Sequence, residues 1–184
     1  ELSGAAIQRE DVHAALDQTA GRTAVKWELP GANAALQGQM GRAAGRPLLV
    51  KRSIAAGEQQ VLLLTSGYNA TVGDGKGRLV IVRPTDGAVL KTIETPPVGA
   101  AAGVDPGLAQ IAAYQNADGK VTYVYGGDEQ GNVWRFNIEL ETVEKLATLT
   151  DGSSNSQRIA TRPALVEYEG KRIVMVGTGA MLGA

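Results

Sequence analysis

Short apolar runs of strand length, each closed by a polar stretch containing glycine, recur along the whole chain. Three of them align: VLLLTSGY at 61–68, VTYVYGGD at 121–128 and RIVMVGTGA at 172–180. Each reads as a β-strand running into a glycine turn. Just upstream of each lies a second alignable run: GRPLLVK at 45–51, GLAQIAAY at 107–114 and TRPALVEY at 161–168. Two of these carry an Arg-Pro pair, Arg46-Pro47 and Arg162-Pro163, and proline is tolerated at a strand's first position because it need not donate to the ladder there. A third run follows a polar loop at 77–84 (GRLVIVRP), at 131–138 (GNVWRFNI) and, as a copy without upstream partners, at 13–19 (HAALDQT). A fourth closes each unit at 23–30, 88–96 and 144–150.

The pattern predicts twelve strands, grouped two, four, four and two. The loops GDGKG at 73–77, PTDG at 84–87, NADG at 116–119 and DEQGN at 128–132 are rich in Gly, Asn and Asp, which supply the positive φ angles of tight turns. Four antiparallel strands repeating at about 55 residues mark a propeller blade. The expected fold is therefore all-β, a segment of a β-propeller built from four-stranded antiparallel blades. Residues 1–30 would end a leading blade, 45–96 and 107–150 would each be a blade, and 161–184 would start a trailing one. Residues 29–46 and 96–106 read as loops between blades, the first with a short helical turn near 34–40. A helix over 5–19 is the second reading of the N-terminal stretch.

Composition sharpens this. Glycine makes up 24 of 184 residues, nearly twice the usual share of roughly 7%, as hairpins demand. The length suits one domain, yet three blade-equivalents fall short of the four to eight that usually close a propeller, so a piece of a larger ring is expected. Open sheet edges on such a piece invite pairing with another chain. The net charge of −1 offers no basic face for nucleic acid, and no apolar run approaches the 18 residues of a membrane span. Without cysteine there are no disulfides, thiol nucleophiles or Cys-type zinc sites.

Catalytic chemistry is sparse. His13 is the one histidine, which argues against triads and His-based metal sites and leaves a strand residue. No serine sits in G-x-S-x-G, and Ser66 reads as a turn. The stretch 72–77 lacks the G-K-[ST] ending of a phosphate loop and leads into a strand rather than a helix. Asp74, Asp86, Asp118 and Asp151 all precede glycine, the ordinary place for Asp in turns. Tyr123, Tyr125 and Trp134 read as packing between sheets rather than as a binding platform.

One loop stands apart. Y-Q-N-A-D-G-K-V-T at 114–122 places Asn116 and Asp118 at the third and fifth positions and Gly119 at the sixth, a spacing that resembles a calcium loop. Tyr114 stands at the first position, where an acid is expected, and Thr122 at the ninth offers one neutral oxygen. A hairpin loop with no ion is the other reading of the same residues.

The run from Gly126 to Ile138, GGDEQGNVWRFNI, resembles the C-terminal propeller of the PilY/PilC family, the type IV pilus tip-associated adhesins and biogenesis factors. The family motif Y-V-Y-[AG]-G-D-x-x-G-N-x-W-[RK]-F-D is matched from Tyr123 to Phe136, with Asn137 standing at its final Asp. Thr65-Ser66-Gly67-Tyr68-Asn69 resembles the family's S-G-Y-N turn, Gln157 to Pro163 its Q-x-I-T-x-[RK]-P run, and Val176-Gly177-Thr178-Gly179 its V-G-T-G strand end, all in family order. The resemblance runs from about residue 11 to the end.

It implies a seven-bladed, quinoprotein-like propeller. It also implies a non-enzymatic module for pilus biogenesis, surface adhesion and twitching, sometimes gated by calcium. The ion's loop would be 114–122, with side chains of Asn116, Asp118 and Thr122 and the carbonyl of Lys120 as ligands. The implied partners are minor pilins or pilus tip components and a host or abiotic surface, and the implied location is the cell surface or periplasm of a Gram-negative bacterium. A quinone-dependent dehydrogenase-type propeller is the alternative. VRPTDGAVLK at 82–91 only echoes the blade motif of those enzymes, with Arg83 and Lys91 in place of its Asp and Trp. A generic propeller scaffold for protein–protein binding stays open beside it.

Overall fold

The computed structural model describes residues 13–17, 24–29, 33–42, 45–98 and 105–179. Twelve strands lie among them: β1 His13–Asp17, β2 Ala24–Leu29, β3 Leu48–Ile54, β4 Gly57–Thr65, β5 Arg78–Val82, β6 Val89–Glu94, β7 Ile111–Ala113, β8 Tyr123–Gly127, β9 Asn132–Asn137, β10 Thr142–Thr148, β11 Ala164–Tyr168 and β12 Lys171–Met175. They form a pair β1-β2, two four-stranded sheets β3-β4-β5-β6 and β7-β8-β9-β10, and a pair β11-β12. Every pairing within these sheets is antiparallel and joins consecutive strands.

The near-continuous apolar runs of β4 and β5 follow from burial on both faces. Leu63 pairs with Ile81 and Leu64 with Val80, so neighbours along each strand point to opposite sides. One face, with Val61, Leu63, Leu79, Ile81 and Ile93, merges with Leu108, Ile111, Val124, Trp134, Phe136 and Ile138 of the next sheet into a single core. The other face, with Leu64, Val80 and Val82, is covered by Leu29, Leu36 and Met40. Sheets stacked face to face in this way hide both sides of each central strand.

The expected helical turn near 34–40 is instead a pair of tight turns. The Leu36 N–H donates to Asn33 O and the Gln39 N–H to Leu36 O, both at 3.0 Å. They serve to press Leu36 and Met40 onto β5. Residues 13–17 form a strand, and the remainder of the alternative helix over 5–19 lies outside the described residues. So do parts of both long connections, 30–32, 43–44 and 99–104, and the last five residues. β7 is shorter than its sequence pattern because Leu108, at its upstream end, pairs with the preceding sheet, while Ala109 already meets β8. Leu108 exchanges two backbone hydrogen bonds with Gly67, and Ala109 N–H donates to Gly127 O. β4 is longer than its pattern: the polar run Glu58 to Gln60 extends a hairpin with β3 beyond the reach of β5.

Arg78 opens β5 as a fully buried cation, 1% exposed. Its guanidinium pairs with Asp74 and, at 3.0 Å, with Glu94, which also takes Lys76 Nζ at 2.6 Å. Burial alone would raise Asp74, but Arg78's hydrogen bond and charge outweigh it and hold the carboxyl below its ordinary 3.8. Lys76, then Arg78, hold Glu94 below 4.5. Acids lowered on folding stabilise above their unfolded values and lose that contribution as pH falls through the folded ones. Thermal midpoints should therefore drop more steeply from about pH 5 to about pH 3 in the wild type than in Arg78→Met, where Asp74 loses the guanidinium and Glu94 keeps only Lys76. Equal slopes in the two proteins would refute this assignment.

Candidate functional site

The run Tyr123 to Asn137 spans β8, its turn and β9. Gly126 faces Trp134 and Val124 faces Phe136 across the ladder, which puts Trp134 and Phe136 on the side that joins the inter-sheet core. Tyr123 pairs with Asn137 and Tyr125 with Arg135 on the opposite side. Trp134 and the two tyrosines thus belong to different faces, as the register alone decides. The Arg135 guanidinium lies 4.8 Å over the Tyr123 ring, and Tyr125 meets Tyr114 edge-on at 6.0 Å.

Asp128 sits at the turn, 1% exposed, and organises it. Its carboxylate accepts from Gln130 N at 2.8 Å, Asn132 N at 2.9 Å, Asn132 Nδ2 at 2.9 Å and Trp134 Nε1 at 2.8 Å. Burial pushes its carboxyl upward, and these donors pull it back. Asn132 Oδ1 in turn accepts from Thr148 Oγ1 at 2.7 Å, tying β10 to the same knot. In the preceding sheet Ser66 holds the corresponding place: its backbone N–H donates to Arg78 O, and its Oγ accepts from Arg78 N at 3.0 Å. The G-D-x-x-G-N-x-W motif is thus a strand-end staple. Reading Asp only as a turn residue misses this, although an acid six residues before a core tryptophan is a visible signal.

The loop between β7 and β8 holds the predicted ligands. Asn116 N–H donates to Lys120 O at 2.7 Å and Gly119 N–H to Asn116 O at 2.9 Å, closing a turn with Gly119 at φ 78°. Asp118 accepts from Lys120 N at 3.2 Å, and its other oxygen lies 3.2 Å from Lys120 Nζ. That ammonium also reaches Glu58 on the β3–β4 hairpin at 2.9 Å. Asn116 Oδ1 accepts from Arg172 at 3.2 Å. The carbonyl of Thr122 accepts Ile138 N–H. Lys120's hydrogen bonds and charge hold Glu58 and Asp118 below their ordinary values, and Glu58 and Asp118 raise Lys120.

A calcium ion takes six to eight oxygens carrying several charges. Of the four predicted ligands, Asp118 has the one carboxylate and it faces an ammonium, Asn116 faces a guanidinium, and the Lys120 carbonyl is occupied by an amide. Donors turned in this way do not fit a bound dication. Among the described residues, no three His, Cys, Asp or Glu side chains come together to hold a metal.

A cleft of about 310 Å³ lies between the edges of β3 and β7, lined by Leu48, Leu49, Val50, Ala113, Gln115, Val121 and Arg162. Its lining carries one cation, Arg162, and one amide, Gln115, with no nucleophilic or basic side chain beside them.

Four-stranded antiparallel sheets stacked face to face, each handing its chain on to the next, define an arc of a β-propeller. The chain belongs to the PilY1 beta-propeller domain family, whose profile matches residues 24–146. It is 32% identical over 126 residues to the type IV pilus biogenesis factor PilY1 homolog of Xylella fastidiosa, covering 62% of this chain and 8% of that protein. It is 28% identical over 142 residues to the type IV pilus biogenesis factor PilY1 of Pseudomonas aeruginosa, covering 62% of this chain and 12% of that one. The chain thus spans about a tenth of the length of these curated relatives. The crystal structure of the Pseudomonas aeruginosa PilY1 C-terminal domain superposes with a TM-score of 0.75 at 24% identity, over 93% of this chain and 39% of that one, a likeness of fold.

Proposed function

We propose that this propeller segment serves a type IV pilus biogenesis factor as a non-enzymatic module for pilus assembly and surface adhesion. The observation that carries the reading is the family match over residues 24–146, which spans the first four-stranded sheet, the second as far as Leu146 within β10, and the Asp128 turn. The homologues are named as pilus biogenesis factors. Minor pilins or tip components are the partners this reading supplies, at the cell surface or in the periplasm. A recognition surface suits what the sheets display: a rigid stack of hydrogen-bonded strands, with loops at its rim and no assembled acid–base pair in the cleft.

The test is genetic. Cells whose copy lacks residues 48–148 should lose most sheared surface pilin, twitching and attachment, and the intact gene supplied in trans should restore all three. Normal pilus number, twitching and attachment in the deletion strain would refute the reading. Binding to soluble proteins with no pilus defect would favour a generic scaffold.

A further inference from the structure

The loop at 114–122 touches three sheets at once. Backward, Lys120 Nζ bridges Asp118 and Glu58, and Val121 N–H donates to Lys51 O at 2.8 Å. Glu58 also pairs with Lys51 at 3.4 Å, so one carboxylate holds an ammonium of its own hairpin and one from the loop of the next sheet. Forward, Tyr114 OH lies 2.6 Å from Val166 O and 2.8 Å from Ile173 O, one on each strand of β11-β12. Arg172 then lies 5.2 Å over the Tyr114 ring while it binds Asn116. The two positions where a calcium loop would carry acids hold Tyr114, committed to the following sheet, and Thr122, whose carbonyl is bound within its own.

We propose that Lys120 and Arg172 act as built-in cations that order this loop and fasten it to the sheets on either side, so that the junction forms without calcium. The chemistry is general. An acidic or amide oxygen cluster is neutralised equally by an ammonium fixed in the chain, and a fixed ammonium needs no free ion and excludes a competing one by charge. The inference concerns folding of the junction and stands apart from the pilus reading.

Hydrogen exchange of backbone amides 116–121 in the whole protein tests it. Wild-type exchange should be the same in millimolar calcium and in EDTA. Lys120→Gln should speed it about two- to fivefold, as expected for exposed ion pairs. Lys120→Arg should restore the wild-type rate, and Glu58→Gln, on an exposed hairpin and safe for folding, should reproduce the loosening from the partner's side. Calcium that slows wild-type exchange or raises its thermal midpoint would overturn the proposal. So would Lys120→Gln and Glu58→Gln proteins that exchange like the wild type.

Discussion

Asp128→Ala is expected to lower stability by about 3–5 kcal/mol, a large share of the roughly 5–15 kcal/mol that holds a typical domain folded. The carboxylate is the shared acceptor for Gln130 N, Asn132 N, Asn132 Nδ2 and Trp134 Nε1. Removing it strands buried donors, each costing about 1–3 kcal/mol, and a methyl group offers none of them a partner. Relief of the buried charge offsets part of that loss. Asp128→Asn keeps one acceptor oxygen but turns an amide toward other donors, so an intermediate loss of about 1–3 kcal/mol is expected. Trp134→Phe removes one donor and leaves the ring's packing. The double variant Asp128→Ala/Trp134→Phe should therefore be less destabilised than the two losses summed, with a coupling of about 1 kcal/mol. Urea unfolding of the four proteins measures this. Strict additivity would show that the indole–carboxylate bond contributes nothing.

The strands were legible for a physical reason. A blade buries both faces of its middle strands, so VLLL and LVIV stand out as unbroken apolar runs between glycine turns. What the one-dimensional pattern hides is whatever depends on register or on distant partners. Glu58 to Gln60 carry no apolar period because that end of β4 projects past β5. Arg78 reads as the edge of an apolar strand, yet its side chain is buried against Asp74 and Glu94. Trp134 and Tyr125 read as one aromatic cluster until the Gly126↔Trp134 pairing assigns them to opposite faces. The loop at 114–122 shows its oxygen spacing plainly, but the cations that meet those oxygens include Arg172, from 50 residues or more along the chain, and the carboxylate that anchors Lys120 comes from the preceding sheet. Spacing announces donors; only the fold says what faces them.

Gly107→Ala should be as damaging as the loss of Asp128, through the backbone alone. Gly107 holds φ +55°, a left-handed conformation that an L side chain enters at a cost of about 1–2 kcal/mol. Space adds to this. A Cβ there would overlap Gly67 O and lie 2.8 Å from Gly67 C. That carbonyl accepts Leu108 N–H at 3.1 Å, while Gly67 N–H donates to Leu108 O at 3.0 Å. These two bonds join the end of β4 to the start of the next sheet, and the obstacle is main chain on both sides, so no rotamer relieves it. Relaxation must pull the sheets apart just where Leu108 enters the shared core. A loss of about 4 kcal/mol or more is expected, in the range reserved for strained backbone and broken cores. Gly170→Ala is the control. Its φ is +71°, but a Cβ there meets nothing within 4 Å, so only the conformational cost of about 1–2 kcal/mol remains. If both variants lose the same stability in urea titrations, the close approach of Gly107 to Gly67 is not what couples the two sheets. If Gly107→Ala alone collapses, a single atom's width at this crossing sets how the blades stack.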